Sequence, residues 1–537
     1  MAGRPHAKPR WLAHDLARPR GSRARGLAGH AILASSRQRG ARDRDRRWMA
    51  PARRGAARKP PPDAVVRLPP RRAARCRLQV PPLRTLHHAV TPRARGASPA
   101  RAVAAGVLEG VEADGAFPEI LLDAELARRT LALRDVALAT ELVYGALRWQ
   151  RYLDWILAPH SKRALDGLDT RVRVLLRLAA YQLAFLERVP PFAVVNDTVT
   201  LAPRTPGVKA FVNAVLRSFA RRGAAEREPA PPRDPVEALA VRCSFPTWLA
   251  ARWVRRYGAA EAEALMRAMN ERPPLTLRAN TLRLGRDALS ARLVAEEGLR
   301  PQATRWAPEG LVVGGGGAPG TWRAFADGSF AVQDEASMLV ARLLDPRPGE
   351  AVADVCAAPG TKTTHLAQLM ENRGRVLAFD REPARLARVG EAAARLGVVI
   401  VEALGGTVEA RAPAFRGACD AVLVDAPCSN LGVLRRNPDA KWRRRPEDLA
   451  AGAARQRTIL EAAAAMLKPG GRLVYATCSL EPEENEEVTK AFLAAHGDFA
   501  LDPPPAFPIP LDVDGALRCL PHRHGTDGFT AVRFRRA

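Results

Sequence analysis

Two cysteines stand directly after short apolar segments toward the C-terminal end of the chain. Cys428 closes the run Leu-Val-Asp-Ala-Pro-Cys at 423–428, and Cys478 closes Tyr-Ala-Thr-Cys at 475–478. If these segments are neighbouring strands of a parallel sheet, both thiols reach the crevice at the carboxyl ends of the strands. Because a thiolate is an effective nucleophile, covalent catalysis at this edge is the chemistry that the two residues predict.

The residues around Cys428 indicate what would be attacked. Amino-group methyltransferases carry Asn or Asp, two prolines and an aromatic residue here, whereas this chain has Asp-Ala-Pro-Cys at 425–428. Carbon 5 of cytosine is too weak a nucleophile to take a methyl group directly. A thiolate adding at carbon 6 makes it enamine-like, and a nearby acid stabilises charge at N3. The alternative, two small buried hydrophobic cysteines, is disfavoured because both would share one crevice.

A loop of small residues predicts a cofactor site. It follows the predicted strand 351–355, opens a helix, and consists of Cys356, Ala357, Ala358, Pro359, Gly360, Thr361 and Lys362. A phosphate-binding P-loop is excluded because Thr361 stands where that motif needs the glycine before its lysine. Asp380 ends the next predicted strand about 20 residues further on, where a carboxylate accepts hydrogen bonds from ribose hydroxyls. The pair of features suits an adenosine cofactor.

These motifs together resemble the Sun family of RNA 5-methylcytosine methyltransferases. The similar segments are 356–363, 425–432, 436–442, 477–479, 482–485 and 526–529. The resemblance implies S-adenosyl-L-methionine as cofactor, Cys478 as nucleophile, and Cys428 in elimination and enzyme release. It further implies that Asp425 and Lys362 contact and polarise the target base, and that the 356–362 loop, Asp380 and Asp425 line the cofactor site. Spacing alone does not decide which thiol attacks, because DNA cytosine methyltransferases use the Pro-Cys thiol.

One position departs from the family pattern. After the third predicted strand the family usually has Asp following Gly, near the adenine, whereas Gly405 is followed here by Gly406. We expect weaker cofactor affinity from the lost side-chain contact.

The elements that must position these residues alternate between strand and helix. Strands are predicted at 351–355, 376–379, 398–401, 421–424 and 473–476, with a final edge strand at 529–534. This alternation predicts an α/β fold with a parallel, Rossmann-like sheet at 331–537. Ahead of it we expect an all-α bundle at 99–223, a linker at 224–235 and a small helical and α+β module at 236–330. The segments 142–148 and 211–217 resemble the NusB family of helical RNA-binding domains.

The net charge of +28 is concentrated at the N-terminus. Residues 1–98 hold 25 Lys or Arg against 4 Asp or Glu, so the remainder carries +7. The Arg/Pro/Ala composition predicts disorder. A passive segment, or one upstream of the true translation start, is favoured over a basic RNA-binding arm. A second basic run, near Cys428, is predicted to follow RNA phosphates and consists of Arg435, Arg436, Lys441, Arg443, Arg444 and Arg445.

Composition restricts the remaining possibilities. No apolar run is long enough for a membrane helix, and the seven scattered cysteines contain no CxxC pair. We therefore expect a cytoplasmic protein without a disulfide framework or metal, since Cys519, His522 and His524 lack a fourth ligand nearby. We also expect a monomer acting on 16S ribosomal RNA. The rival hypotheses are a paralogue modifying tRNA or another rRNA cytosine, and a non-enzymatic RNA-binding or ribosome-assembly factor.

Overall fold

The computed structural model describes residues 97–222, 227–315 and 317–537. The predicted disordered tail and the start of the predicted linker lie almost entirely outside these residues. None of the helices in the described part of the chain is both long and apolar enough to cross a membrane.

The first part of the described chain is a helical bundle with its own apolar core. Its helices are α1 (Pro99–Asp114), α2 (Pro118–Ala127), α3 (Leu133–Leu157), α4 (Thr170–Phe185), α5 (Pro191–Leu201) and α6 (Val208–Arg221). The predicted apolar stripe lies on α4, which starts where the Asp169 side chain accepts hydrogen bonds from two backbone N–H groups of the first turn. Gly145 of α3 is required by packing, because a Cβ there would overlap the Tyr181 ring. The prediction of an all-α bundle is confirmed.

Three helices follow and pack on the C-terminal part of the chain. They are α7 (Pro235–Arg242), α8 (Thr247–Tyr257) and α9 (Ala259–Met269). Their core, built around Phe245 and Trp253, is continuous with Leu431 and Leu434. These helices therefore support the segment that follows Cys428.

A small antiparallel sheet with a separate core comes next. Its elements are β1 (Leu275–Ala279), α10 (Arg286–Glu297), β2 (Gln302–Ala303), β3 (Gly310–Val313), α11 (Arg323–Ala326) and β4 (Phe330–Val332). The strand order is β2-β3-β1-β4. The expected small α+β module is present.

The C-terminal part is a mixed sheet with helices on both faces. Its elements are α12 (Glu335–Leu344), β5 (Ala351–Asp354), α13 (Thr361–Leu369), β6 (Arg375–Asp380), α14 (Pro383–Leu396), β7 (Val401–Gly405), α15 (Val408–Arg411), β8 (Cys419–Asp425), α16 (Ala440–Arg443), α17 (Pro446–Ala464), β9 (Leu467–Thr477), α18 (Glu486–Ala495), β10 (Phe499–Leu501), β11 (Leu517–Cys519), α19 (Pro521–His524) and β12 (Phe529–Arg536). The order is β10-β12-β9-β8-β5-β6-β7, and β11 pairs with β12. Strands β5 to β9 run parallel, so the predicted Rossmann-like sheet is confirmed.

Two strand predictions need correction. The third strand was expected at 398–401 but runs from Val401 to Gly405. Gly397 ends α14 in the left-handed conformation and the Val398 N–H bonds back to Ala393, so the apolar run before Val401 closes the helix instead. Strand β12 is not an edge strand, because β10 pairs along its other side. The short β10 segment lacks the length and alternation that would have announced it.

Candidate active site

The two cysteine thiols meet at the carboxyl edge of the parallel sheet. Cys428 follows β8 and Cys478 follows β9, and these strands are adjacent and parallel. Their Sγ atoms are 3.2 Å apart, within hydrogen-bonding range for sulfur. A single ligand in this crevice could contact both thiols.

The surroundings of the two thiols are different. The hydrogen bond to Cys478, together with burial, raises the pKa of the Cys428 thiol well above its usual range, and the Glu484 carboxylate adds to this. Cys478 instead lies close enough to the Lys362 ammonium for its charge to raise the pKa of that lysine. Cys428 is therefore the thiol that keeps its proton, and Lys362 places a positive charge beside Cys478.

Lys362 and Asp425 form an ion pair beside the thiols. Lys362 Nζ is 2.7 Å from Asp425 Oδ2, and only 9% of the lysine side chain is exposed. Burial lowers the pKa of Lys362, but the Asp425 carboxylate outweighs burial and leaves the pKa above its ordinary value. Nζ also lies 4.9 Å from the centre of the Phe529 ring. A permanent cation therefore sits at the crevice, held by β8 and β12 residues.

Asn430 is a site residue to which the sequence analysis assigned no role. Its Oδ1 accepts a hydrogen bond from Cys478 Sγ at 3.0 Å and lies 3.8 Å from Cys428 Sγ. Its backbone has φ +64°, a left-handed conformation that asparagine tolerates better than most residues. The residue was already part of the resembling segment 430–432, and an asparagine two positions beyond a candidate nucleophile was the available signal.

The loop after Cys428 is fixed by buried polar contacts. Glu484, 1% exposed, accepts hydrogen bonds from the Ser429 N–H at 2.8 Å and the Ser429 hydroxyl at 2.5 Å. The Gly432 N–H donates to the Cys478 carbonyl at 2.9 Å. A Cβ at Gly432 would lie 2.3 Å from the Gly528 carbonyl oxygen, so only glycine fits. These contacts hold the two cysteine loops in register.

The predicted cofactor residues lie in the loop after β5 and in the first turn of α13. They are Cys356, Ala357, Ala358, Pro359, Gly360, Thr361 and Lys362. The Ala357 N–H donates to the Phe379 carbonyl at 2.9 Å, which ties the loop to β6. Burial raises the pKa of the Cys356 thiol, so this cysteine is suited to packing and not to nucleophilic attack.

The loop and the end of β6 fit S-adenosylmethionine. Gly360 has φ +100°, and a Cβ there would lie 3.0 Å from Val389 Cα, so the small residues make room above the sheet. Asp380 ends β6 and its Oδ1 accepts a hydrogen bond from the Glu382 N–H at 2.9 Å. Its Oδ2 has, within the described part of the chain, only a 3.8 Å ion pair with Arg385. That oxygen is available to ribose hydroxyls.

A buried carboxyl lies beneath the loop. Asp354, 1% exposed, ends β5, and its Oδ2 accepts a hydrogen bond from the Thr363 hydroxyl at 2.7 Å. Burial raises the pKa of Asp354 to about 7, against the lowering effect of that hydrogen bond. The sequence pattern did not single out this group, because its unusual property comes from the depth of the strand end.

The small sheet also contributes to the cofactor loop. Arg278 of β1, 1% exposed, donates to the Thr361 carbonyl at 2.6 Å and to the Thr364 hydroxyl at 3.0 Å, and it also hydrogen-bonds Gln333. Burial lowers the pKa of Arg278 to about 9. This arginine positions the first turn of α13 from outside the Rossmann-like domain, a role that sequence spacing gave no means of finding.

Gly406 follows β7, and its N–H donates to the Asp380 carbonyl at 3.2 Å. Its φ is +117°, and a Cβ there would lie 3.1 Å from Arg411 Nε. The backbone has therefore adopted a conformation that an aspartate would occupy only with strain.

The predicted phosphate-contacting run is mostly engaged in internal contacts. Burial contradicts the prediction for Arg435 and Lys441, which are 3% and 1% exposed, and phosphate contact by the other members stays a prediction. Arg435, 3% exposed, and Arg436 both pair with Asp527, and Arg436 also pairs with Asp334 at 2.9 Å. A buried carboxylate requires such partners. Arg444 donates to the Ser429 carbonyl at 3.1 Å, and Arg445 is the exposed member of the run.

The middle of the run joins the helical bundle to the sheet domain. Lys441, 1% exposed, donates to the Arg148 carbonyl at 2.8 Å and to Asn270 Oδ1 at 2.9 Å. Arg443 donates to the Gly115 carbonyl at 2.6 Å, and Arg148 reaches back to the Arg435 carbonyl at 2.9 Å. These basic side chains satisfy carbonyl groups at a domain contact that a linear sequence does not reveal.

The predicted non-ligand histidines are engaged elsewhere. His522 Nε2 lies 3.1 Å from Glu261 Oε1, and His524 Nδ1 accepts a hydrogen bond from the Leu520 N–H at 2.9 Å. In residues 97–222, 227–315 and 317–537, no group of three or more His, Cys, Asp or Glu side chains is placed to hold a metal ion.

Comparison with known proteins gives three family matches. Residues 98–221 match the NusB family, and residues 245–318 match the ferredoxin-like domain described as RsmF/B-like. Residues 341–535 match the family described as 16S rRNA methyltransferase RsmB/F.

Curated relatives match most of the chain. The probable ribosomal RNA small subunit methyltransferase B of Bacillus subtilis is 38% identical over 446 residues, covering 81% of this chain and 98% of the relative. The ribosomal RNA small subunit methyltransferase B of Sodalis glossinidius is 37% identical, covering 80% and 95%.

Solved structures of similar proteins superpose on much of the chain. The crystal structure of PH0851 superposes with a TM-score of 0.68 at 30% identity, covering 81% of this chain and 98% of that one. NSun6 from Pyrococcus horikoshii, solved with SFG, gives a TM-score of 0.50 at 27% identity and covers 54% and 98%.

Proposed function

The chain belongs to the 16S rRNA methyltransferase RsmB/F family of S-adenosylmethionine-dependent enzymes, and on this premise we propose its reaction. It methylates carbon 5 of a cytosine in 16S ribosomal RNA through a covalent cysteine adduct at carbon 6. The observation that carries the proposal is the thiol pair, 3.2 Å apart at the sheet edge. Because ribosomal RNA is the proposed substrate, we place the protein in the cytoplasm. We also propose that it acts as a monomer.

Cys478 is the proposed nucleophile. Its thiolate adds an electron pair to carbon 6, which forms the carbon–sulfur bond and moves ring electrons toward N3. The positive charge of Lys362, paired with Asp425 at 2.7 Å, offsets the charge that develops on the ring. A fixed ion pair needs little reorganisation during this step. Lys362 and Asp425 therefore hold and polarise the base.

S-adenosylmethionine, when bound by the 356–362 loop and Asp380, supplies an electrophilic methyl group. Carbon 5, enamine-like in the adduct, would form the new carbon–carbon bond as the bond between the methyl group and the sulfonium sulfur breaks, with the electrons of that bond staying on the sulfur. The carbon-5 proton is then released to water, its bonding electrons restore the double bond between carbons 5 and 6, and the carbon–sulfur bond breaks.

Cys428 assists that last step. The leaving electron pair returns to Cys478 Sγ, and the Cys428 thiol, whose pKa is raised by its bond to Cys478 and by burial, donates a hydrogen bond to the departing thiolate. Glu484 opposes ionisation of Cys428 and so keeps this donor protonated. The different surroundings of the two thiols favour this assignment over the reverse.

Covalent trapping tests the roles. With RNA and cofactor, Cys478→Ala should abolish methyl transfer and any adduct, whereas Cys428→Ala should accumulate a protein–RNA complex visible on a denaturing gel. Cys419→Ala, a buried cysteine at the opposite end of β8, is the matched control and should behave as the parent protein. An adduct that survives loss of Cys478 but not of Cys428 would reverse the roles.

The target is tested in cells by bisulfite sequencing of total RNA from a deletion strain. Loss of one 16S signal supports the proposal. A lost tRNA signal would identify a paralogue with another substrate, and an unchanged pattern would favour a binding or assembly role.

A further inference from the structure

An open groove of about 750 Å³ lies between helices α5 and α6 of the bundle. Its floor is apolar and includes Val195 and Val199 of α5. Phe192, at the start of α5, lines the groove with 76% of its surface exposed. An exposed aromatic side chain beside a formed groove offers a ring face on which a planar ligand could stack.

The α6 side of the groove is basic. Lys209, Arg217 and Arg221 are exposed lining residues. Within residues 97–222, 227–315 and 317–537, none of the three has a carboxylate partner. Arg217 Nε donates to Asn213 Oδ1 at 3.1 Å, and Asn213 also lines the groove.

Several arginines elsewhere in the bundle are paired with carboxylates. Arg101, Arg171 and Arg177 each pair with a carboxylate at 2.6 to 2.9 Å. From 190 to 222 the sequence holds a single acidic residue, Asp197, which is buried against Arg101. The groove therefore presents uncompensated positive charge. This charge attracts a polyanion more strongly than an uncharged apolar peptide.

The spacing on α6 suits an extended strand. Lys209, Asn213, Arg217 and Arg221 recur every four residues, so they lie along one side of the helix over about 18 Å. A track of cations beside an aromatic platform is the arrangement that binds single-stranded nucleic acid, with phosphates on the cations and a base stacked on the ring. The amides of Asn196 and Asn213, also in the groove, can donate to or accept from base edges.

We propose that the α5–α6 groove binds an unpaired segment of the RNA substrate, with one base stacked on Phe192 and the backbone held by Lys209, Arg217 and Arg221. This inference rests on the proposed function for the identity of the RNA. It adds a second contact, on the helical bundle, to the site where the target cytosine reacts.

The first test measures binding without methyl transfer. The full chain is titrated, in the absence of cofactor, against a fluorescent single-stranded RNA of about 12 nucleotides, with the corresponding duplex as competitor. Lys209→Ala/Arg217→Ala/Arg221→Ala should weaken binding and reduce the slope of log K against log salt by about 2, because each lost phosphate contact removes about 0.7. The control variant replaces three other exposed arginines by alanine. Arg347 lies before β5, Arg373 lies just before β6, and Arg375 is the first residue of β6.

The aromatic contact has its own signature. Phe192→Ala should weaken binding about 5-fold or more with the salt slope unchanged, and Phe192→Trp should keep the affinity. In turnover assays both groove variants should raise the KM for RNA and leave kcat intact. The mutated side chains are exposed, so an unchanged Tm verifies folding.

Three results would overturn the inference. The groove variants could bind RNA as the charge-matched control does. The duplex could compete as well as the single strand. Finally, Phe192→Ala could convert a dimeric protein to a monomer, which would assign the groove to a second copy of the chain. Because binding is measured without cofactor, failure here is distinct from failure of the Cys478 trapping experiment.

Discussion

Replacing Lys362 by methionine probes the ion pair at the centre of the site. The substitution keeps the length and apolar stem of the side chain and removes the ammonium that lies 2.7 Å from Asp425. It leaves the Asp425 carboxylate, 27% exposed, without its cation, and it removes the positive charge beside Cys478.

The expected loss of stability follows from the geometry. Two unit charges 2.7 Å apart attract by about 6 kcal/mol at an effective dielectric constant of about 20, and desolvation offsets part of this. Removing one partner of a buried pair costs about 3–5 kcal/mol because the other charge stays behind. For a domain of about 200 residues this lowers Tm by roughly 10 °C. The matched control is Arg375→Met in the exposed pair with Glu402, which should cost less than about 1 kcal/mol.

The double variant separates stability from catalysis. Lys362→Met/Asp425→Asn removes both charges, so about 2–3 kcal/mol of the loss should return. Methyl transfer should stay reduced by about 100-fold or more, because the cation that stabilises charge on the ring is still missing. Thermal unfolding and single-turnover methylation with saturating cofactor give the two readouts. If Lys362→Met kept full activity, or if the double variant regained it, the role given to this ion pair would be refuted.

Three further predictions follow from buried or strained groups. Burial raises the pKa of Asp354 to about 7, so between pH 4 and 7 the folded protein holds a proton that the unfolded chain releases. The free energy of unfolding should therefore fall by up to about 4 kcal/mol as pH rises from 4 to 7. Asp354→Asn should remove this decline, which thermal melts at several pH values would measure. Gly406→Asp and Gly406→Ala share the strain of φ +117°; calorimetry should find tighter cofactor binding for Asp than for Ala, and equal affinities would exclude the missing contact as a cause of weak binding. Trp442→Phe/Arg443→Ala removes hydrogen bonds to the Leu147 and Gly115 carbonyls and should speed hydrogen exchange at the end of α1, while unchanged exchange would contradict their docking role.

Local pattern carried the sequence predictions that succeeded. The α/β alternation, the small-residue loop and the apolar segments before Cys428 and Cys478 are recorded in neighbouring residues, and hydrophobic periodicity reports them directly. The strand at Val401–Gly405 was misplaced because the preceding apolar residues close a helix. The boundary of an element depends on whether a backbone group forms its hydrogen bond within the helix or with a neighbouring strand. Hydrophobic periodicity does not report which of these hydrogen bonds is more stable.

The sequence by itself determined that two thiols, a carboxylate and a lysine would gather at one sheet edge, because parallel strands deliver their carboxyl ends to the same side. The tertiary structure decided how they differ: Lys362 lies by Cys478, whereas Glu484 lies by Cys428. It also turned most of the 435–445 basic run inward, onto Asp527 and bundle carbonyls far away in the chain. Charge and nucleophilicity depend on partners in space, and residues distant in sequence supply those partners only after folding.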